Sequence, residues 1–468
     1  MIIIYHMKKL IHFFPLLLLA GLLSCSKDGY VATSPVDGGA RFTIITTIDT
    51  KTVNNGISTQ WASTDRINVF HKKSEDSDFV SDGRFDIEDI ETGKFSGNLA
   101  EELDKSSNYD WFVSYPYQSG NSFNNMNVTI GGTKTVAQLQ QGNSSMSHLA
   151  GNYFPLYAHK QGVEATSSIS IPLKNLAAVI EFEVTNKLET SLQVTSIMLL
   201  ANEEIIGAFQ VDYSQSPIVF TAGNSKSIAR LNVQDGEMIP TGATEKFYIG
   251  VKPHTIKTGD KLAFRVYTSD GTRNGFQLYE KTIESDLMIG SGSINCFKVD
   301  YTSAIGAPLN VTKADLETLN DGDASTTFKE YSTYDGWVLK NGNVRDHAVW
   351  DAITSLCATI NGRTSAVGTL TSPLLAGGCG TLSFKYGLTY SGDKLSFKID
   401  FLNEAGEIVK TVTVTEDSAE QFQQFNFSQE INLSGPFSMV FTNLSPSGSK
   451  SVKDRVSLFD IEWTNYSE

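Results

Sequence analysis

Short strand-like segments separated by turn residues recur along this chain from residue 41 onward. Segments of about five to eight residues are rich in Val, Ile, Thr, Phe and Tyr, and turn-forming Gly, Asn, Asp or Ser separates them. No amphipathic stretch is long enough to supply the helices of βαβ units. The aromatic and glycine content, with 27 Phe, 17 Tyr and 38 Gly, is also typical of antiparallel sheet. The sequence therefore predicts an all-β protein.

The 468 residues are too many for one core, and the predicted strands fall into three sets. We expect two consecutive β-sandwiches, at residues 41–172 and 173–302. Around residues 303–308 the character changes, and residues 309–368 are polar with a weak hydrophobic pattern. A clear series of strands then resumes, which predicts a third sandwich over residues 309–468.

The formal net charge is -15, and no cluster of Lys or Arg follows the N-terminal segment. A nucleic acid partner is not expected, because phosphate binding needs a basic surface. The sequence also lacks H-E-x-x-H, G-x-S-x-G and the paired His/Cys spacing of a metal site. We therefore predict a protein that is not an enzyme and needs no cofactor.

The stretch 7–25, MKKLIHFFPLLLLAGLLSC, has the features of a secretory signal. Two lysines precede an apolar run, and a small residue stands directly before Cys25. We predict a signal peptide over residues 1–24 and a flexible tether containing Gly and Pro over residues 25–40.

The last four residues of that stretch, LLSC, resemble the lipobox of bacterial lipoproteins. The resemblance implies that Cys25 is the lipid attachment site, and several acyl chains hold a protein on a membrane stably. We expect a lipid-anchored protein of the outer membrane that faces the cell surface. The alternative is an ordinary signal peptide that happens to end near a cysteine.

Residues 40–302 carry a specific order of pieces. A strand that begins at Arg41 is followed by Thr-Lys-Thr, a Trp ahead of D-R-I-N-V-F, an F-S-G turn and a strand that ends in Tyr-Pro-Tyr. This order resembles the fimbrillin family, the lipoprotein subunits of pili and their relatives in Gram-negative gut and oral anaerobes. Lys51 stands where the family usually has Arg. The resemblance implies fimbrillin-type β-sandwiches for the first two units.

The C-terminal part contains SPLLAGGCGTLSFKYG at residues 372–387 and a final F-D-I-E-W strand. These pieces resemble the jelly-roll modules appended to surface proteins of the same bacteria, which are similar to galactose-binding-like and carbohydrate-binding sandwiches. The resemblance implies a jelly-roll β-sandwich at residues 309–468.

Five aromatic residues lie in the less regular part of this third unit or on a hairpin tip: Tyr331, Tyr334, Trp337, Trp350 and Tyr390. Rings presented on the loops of a sandwich can stack on sugar faces. Packing in the core explains any one of them at least as well. From their loop context, Tyr334 and Trp350 are the candidate ligand contacts.

Residues 320–323, Asn-Asp-Gly-Asp, place the carboxylates of Asp321 and Asp323 on either side of a glycine. Such oxygens suit Ca²⁺, and jelly-roll modules often hold a structural calcium. The segment lacks the rest of an EF-hand loop, and a solvated Asx turn is the competing interpretation.

Arg41 is the candidate protease-processing site. In fimbrillin-type pilins, an Arg-specific protease cuts the lipidated precursor near the first strand, and a strand from a neighbouring subunit fills the groove that is left. An ordinary Arg at the start of a strand is the alternative. The third unit does not fit the pattern of a stalk subunit. Its presence favours a tip, an anchor or a stand-alone surface protein.

Besides Cys25, the chain has Cys296, Cys357 and Cys379. Cys357 and Cys379 are able to pair in an oxidising compartment, but their spacing fits no metal motif, and buried free thiols are favoured.

These features predict a non-enzymatic surface protein that acts in adhesion, with a glycan or host surface as its ligand and other fimbrial subunits as partners by strand exchange. The alternative is a surface glycan-binding lipoprotein of a polysaccharide-capture system.

Overall fold

The computed structural model describes residues 40–48, 61–133, 137–271, 274–322, 324–333, 335–345, 356–390, 392, 394–445 and 454–467. Within these residues the regular structure consists of β-strands and two short 3₁₀ helices, Gly151–Tyr153 and Leu316–Gly322. The all-β prediction is confirmed. In this part of the chain, no helix has the length and the apolar character needed to cross a membrane.

The first unit is a closed barrel with the strand order β1-β4-β3-β2-β5-β8-β9. Strand β1 is antiparallel to β4 on one side and parallel to β9 on the other, which closes the ring. The bounds of the strands up to β9 are β1 (Arg41–Ile48), β2 (Arg66–Lys73), β3 (Val80–Asp89), β4 (Lys94–Asn98), β5 (Asn108–Tyr115), β6 (Met126–Ile130), β7 (Gln138–Gln141), β8 (Leu156–Glu164) and β9 (Ser168–Asn175).

Large apolar side chains from alternate strand positions fill this barrel. Phe42, Phe85, Phe95 and Trp111 are fully buried there, and Phe42 stacks on Trp111 with 4.5 Å between the ring centres. The first of the predicted sandwiches is thus closed along its edges, because the β1–β9 pairing leaves neither strand with an open side.

The second unit combines several small sheets, in the orders β15-β10-β20, β18-β17-β11-β14-β7, β13-β12-β6 and β16-β19. Its own strands are β10 (Ala178–Asn186), β11 (Gln193–Leu200), β12 (Ile206–Asp212), β13 (Val219–Lys226), β14 (Ile228–Gln234), β15 (Thr244–Val251), β16 (His254–Ile256), β17 (Lys261–Ser269), β18 (Asn274–Thr282), β19 (Leu287–Ile289) and β20 (Ile294–Tyr301). Strands β6 and β7, which precede residue 172, pair with β12 and β14. The sheets therefore cross the boundary that we predict at residues 172 and 173.

A shared hydrophobic cluster also joins the first two units. Phe70 and Phe112 lie on the outer face of the barrel and pack with residues of the second unit, such as Phe209 and Tyr213. The rings of Phe112 and Tyr213 are 4.7 Å apart. The two units thus share one continuous apolar interface.

The third unit is one long path of strands in the order β29-β28-β31-β26-β22-β23-β32-β27-β30, with β21 paired to β22. Its strands are β21 (Ser325–Ser332), β22 (Val338–Arg345), β23 (Cys357–Ile360), β24 (Gly362–Arg363), β25 (Ala366–Val367), β26 (Thr369–Thr371), β27 (Cys379–Leu388), β28 (Leu395–Asn403), β29 (Ile408–Glu416), β30 (Gln424–Leu433), β31 (Phe437–Asn443) and β32 (Val456–Trp463).

The two halves of this path face each other across one core. Phe384 of β27 lies 5.9 Å from Phe397 of β28 and 5.5 Å from Phe441 of β31, measured between ring centres. The third unit is therefore a two-layered sandwich, and its assignment as a jelly roll stays a prediction.

The cysteines of this unit do not form a disulfide. Cys357 and Cys379 are both buried free thiols, and Cys296 of the second unit is free and exposed. Burial raises the pKa of Cys357 and of Cys379 to about 12. The favoured prediction of buried free thiols is confirmed.

Candidate functional site

Five side chains converge at one end of the third unit, and we call them the arginine–aromatic cluster: Phe328, Asn343, Arg345, Tyr390 and Arg455. Strand pairing brings them together, because β22 pairs with β23, β23 with β32, and β32 with β27. Arg345 ends β22, Arg455 directly precedes β32, and Tyr390 follows β27 by two residues. Because β21 also pairs with β22, four chain segments contribute to one cluster.

Arg455 lies against two aromatic rings. The carbon atom of its guanidinium lies 4.3 Å from the centre of the Phe328 ring and 4.6 Å from that of Tyr390. Arg345 approaches the same Tyr390 ring at 5.6 Å. These distances fall within the range of cation–π attraction, which fixes a guanidinium without neutralising its charge.

The amide of Asn343 positions Tyr390. Its Nδ2 atom donates a hydrogen bond of 2.6 Å to the Tyr390 hydroxyl and one of 3.4 Å to the carbonyl of Thr326. Asn343 is completely buried, and Arg455 is 5% exposed. Burial and the positive charge of Arg363 lower the pKa of Arg455, whereas Tyr390 raises it.

Several polar atoms of the cluster have no hydrogen-bond partner in the described part of the chain: Nε of Arg345, Nε of Arg455 and Oδ1 of Asn343. A buried polar atom without a partner costs stability, and a ligand that supplies the partner recovers that cost. The cluster therefore has the chemistry of a binding site, with donors, an acceptor and rigid rings.

Sequence reasoning finds this site only in part. Tyr390 belongs to the aromatic set of the third unit and lies in the cluster. Trp337 and Tyr331 of that set are core residues, 0% and 5% exposed. Tyr334 and Trp350, the candidate ligand contacts, lie outside the described residues.

No pattern in the sequence singles out the other four members of the cluster: Phe328, Asn343, Arg345 and Arg455. They stand singly in polar segments, and only the long-range pairing of β22, β23 and β32 brings them together. An arginine next to a strand end in an acidic chain is the one available signal.

The processing candidate, Arg41, is the first residue of β1. Its guanidinium donates hydrogen bonds to the carboxylate of Glu88 and, at 3.0 Å, to the hydroxyl of Ser96. Hydrogen bonds from Lys94, Ser96 and Arg41 lower the pKa of Glu88 to about 2. A cut after Arg41 leaves the rest of β1 within the barrel, so this cut by itself removes no strand from the described fold.

Two further predicted sites fall mostly outside the description. Cys25 and Asp323 lie outside the described residues, and Asp321 is described only as part of the backbone of Leu316–Gly322. The lipid anchor and the calcium site stay predictions.

A group of two glutamates and a cysteine lies on the sheet of β10, β15 and β20. Glu181, Glu183 and Cys296 are close enough together to share a cation. However, the ammonium of Lys246 lies 3.1 Å from a carboxylate oxygen of each glutamate. The lysine already supplies the positive charge, so this group is an ion-pair network.

The second and third units meet at another ion pair. Arg265 of β17 pairs with Asp315, and a cavity of about 150 Å³ adjoins them. Asp335, 6% exposed, lies next to this pair, and burial together with the charge of Asp315 raises its pKa to about 6. Lys313 and Glu317 also line the cavity, so its charges are mixed, as in a structural contact between two units.

Comparison with known proteins gives likenesses only among solved structures. No family model matches the chain, and no curated protein matches it. A candidate cell adhesion protein of Bacteroides ovatus is 15% identical, with a TM-score of 0.37 over 57% of this chain and 94% of that chain. A fimbrial protein of the same species is 12% identical, with a TM-score of 0.28 over 76% of this chain and 68% of that chain. The chain is similar to these surface proteins.

A carbohydrate-binding module of family 6 is 15% identical, with a TM-score of 0.19 over 34% of this chain and 99% of that module. With TM-scores below 0.5, these likenesses identify neither a family nor an activity. A function is therefore inferred from the chain's own residues.

Proposed function

We propose that this chain is a non-enzymatic adhesion protein of the cell surface, fimbrillin-like in its first two units, whose third unit binds the ligand. In this proposal Cys25 carries the lipid anchor in the outer membrane, and the first two units connect that anchor to the third. The observation that carries the proposal is the arginine–aromatic cluster, with guanidiniums that lie against aromatic rings and polar atoms that lack partners among the described residues.

The cluster suits binding because its parts are already fixed in place. The Arg455 side chain is held on two rings and Tyr390 is held by Asn343, so little side-chain entropy remains to be lost when a ligand binds. A rigid set of donors beside aromatic surface is the usual composition of a recognition site.

The barrel supports a tip, an anchor or a stand-alone adhesin more than a stalk subunit. Strand β1 is paired on both sides, by β4 and β9, and its side chains Phe42 and Ile44 are buried. A neighbour's strand would have to displace β1 to enter this barrel. Strand exchange with other subunits therefore requires a strand outside the barrel.

The test measures adhesion and turnover with the same preparation. Beads that carry the intact chain are passed over surfaces coated with host mucin or polysaccharides, and the release of reducing ends is followed. We expect retention on at least one surface without release of sugar. Retention on none of the surfaces would overturn the adhesive role, and steady release of reducing ends would overturn the non-enzymatic one.

Polysaccharide capture for an importer is the second candidate. The polar atoms of Asn343 and Tyr390 can hydrogen-bond sugar hydroxyls as readily in a soluble chain as on a surface. Capture predicts tight binding of one soluble polysaccharide and no retention of beads on host mucin. Adhesion predicts retention on mucin.

A further inference from the structure

We infer that the arginine–aromatic cluster binds the carboxylate group of an acidic polysaccharide. This inference rests on the proposed function and specifies the ligand of the same site.

Positive charge gathers at this site. The chain as a whole has a formal net charge of -15, yet Arg345, Arg363 and Arg455 gather at this end of the third unit. In the described residues, neither Arg345 nor Arg455 forms an ion pair with a carboxylate. Gathered like charges repel each other, and an anion between them relieves that repulsion.

The guanidiniums of the cluster also have donors that are not used. Nε atoms of Arg345 and Arg455 have no partner among the described residues, although both belong to guanidiniums fixed on the Tyr390 ring. A guanidinium presents its N–H groups as a planar fork that matches the two oxygens of a carboxylate. A guanidinium that lies over a ring contacts it with its flat face, so its N–H groups, which point along its edge, stay free for other partners.

The neutral polar groups of the cluster indicate a sugar as the carrier of the acid group. Oδ1 of Asn343 lacks a partner in the described residues, so it is an unused acceptor that suits a hydroxyl group. The Tyr390 hydroxyl, which already accepts a hydrogen bond from Asn343, retains a proton to donate. Acceptors and donors for hydroxyls beside an anion site are the requirements of a uronic acid.

The test compares polymers that differ only in charge. The intact chain is titrated with polygalacturonate, alginate and hyaluronan, and with the methyl ester of each, in which the carboxylate is neutral. We expect at least one acid form to bind about tenfold or more tightly than its ester, and salt to weaken that binding. Dextran sulfate and dextran form the matched pair for a sulfate ligand.

Variants locate the binding in the cluster. We expect Arg455→Gln and Arg345→Gln each to weaken binding of the acid polymer about tenfold, and Tyr390→Phe to weaken it less. Lys340→Gln is the matched control, because Lys340 is an exposed cation on the same strand as Arg345 and lies outside the cluster. If Arg455→Gln does not fold, Arg363→Gln removes an exposed charge of the same group, and we expect about threefold weaker binding.

The outcomes separate this inference from the proposed function. Equal binding of acid and ester, binding of dextran sulfate alone, or unchanged affinity in the arginine variants overturns the carboxylate ligand and leaves the adhesive role in place. Failure to bind any polymer, together with no retention of beads on any surface, overturns both.

Discussion

At the scale of single residues, Asp335 makes the stability of the chain depend on pH. Its pKa is raised to about 6 by burial and by the charge of Asp315, with Arg265 and the Thr333 hydroxyl acting in the opposite direction and Tyr267 facing it from the second unit. A folded-state pKa above the unfolded value favours the protonated form. The stabilisation that protonated Asp335 contributes is therefore complete below about pH 4 and is lost as the pH rises through about 6.

We predict that Asp335→Asn changes the free energy of unfolding more favourably at pH 7.5 than at pH 5, by about 1–2 kcal/mol. Urea unfolding of both proteins at the two pH values measures this difference. Stability profiles that stay parallel between pH 5 and pH 7.5 would show that Asp335 does not titrate in this range.

The cysteines give a second prediction at this scale. Cys357 and Cys379 are buried, and their thiols have raised pKa values, so they should react with a thiol reagent at pH 8 only after unfolding. Cys296 is exposed, but burial of its sulfur and a hydrogen bond with Glu181 raise its pKa to about 11, so we expect slow reaction in the native chain. A reductant should leave the melting temperature unchanged, and a lowered one would reveal a disulfide.

At the scale of the strand, the packing of β1 in the core determines whether processing at Arg41 opens the barrel. Phe42 is 1% exposed and stacks on Trp111, whereas Ile45 on the same strand is 37% exposed. We predict that Phe42→Ala lowers the free energy of unfolding by about 3–5 kcal/mol and that Ile45→Ala lowers it by less than about 1 kcal/mol. Urea unfolding checks both values. Equal, small effects would mean that β1 does not belong to the core of the barrel.

The strands also show how far sequence patterns reach. In AVIEFEVTN the side chains alternate, so the predicted strand at 177–184 agrees with β10 at Ala178–Asn186. Strands β21, β22 and β23 lie within residues 309–368, where the hydrophobic pattern is weak. Strand β21 exposes most of its side chains, and β22 carries buried polar or small residues such as Asn343, so neither follows a simple apolar repeat.

The candidate site was less predictable than the fold for a related reason. Its residues come from strands and strand ends that are apart in the sequence, and Arg345 and Arg455 are separated by more than a hundred residues. Sequence periodicity reports which face of a strand is buried, but it carries no information about which distant strands pair. Tyr390 belongs to the aromatic set of the third unit because aromatic residues on loops are conspicuous, but it is not among the candidate ligand contacts, and the arginines carry no such signal.

At the scale of the whole molecule, the first two units should unfold together. Strands β6 and β7 pair with strands of the second unit, and Phe112 of the barrel packs on Tyr213. We predict that Phe112→Ala lowers the stability of both units by a similar amount, about 3–5 kcal/mol. Hydrogen exchange of the β5 and β12 amides measures this. A loss confined to the barrel would show that the units are independent.

The third unit contains the cluster on which the functional account depends. The most direct measurement is the retention of beads under flow on the acidic polysaccharide that the intact chain binds. The comparison uses beads with the unaltered chain, with Arg345→Gln and Arg455→Gln combined, and with Lys340→Gln, each with an unchanged unfolding transition. We predict that the unaltered and Lys340→Gln beads are held and that the double variant is washed away. Equal retention of all three would contradict it.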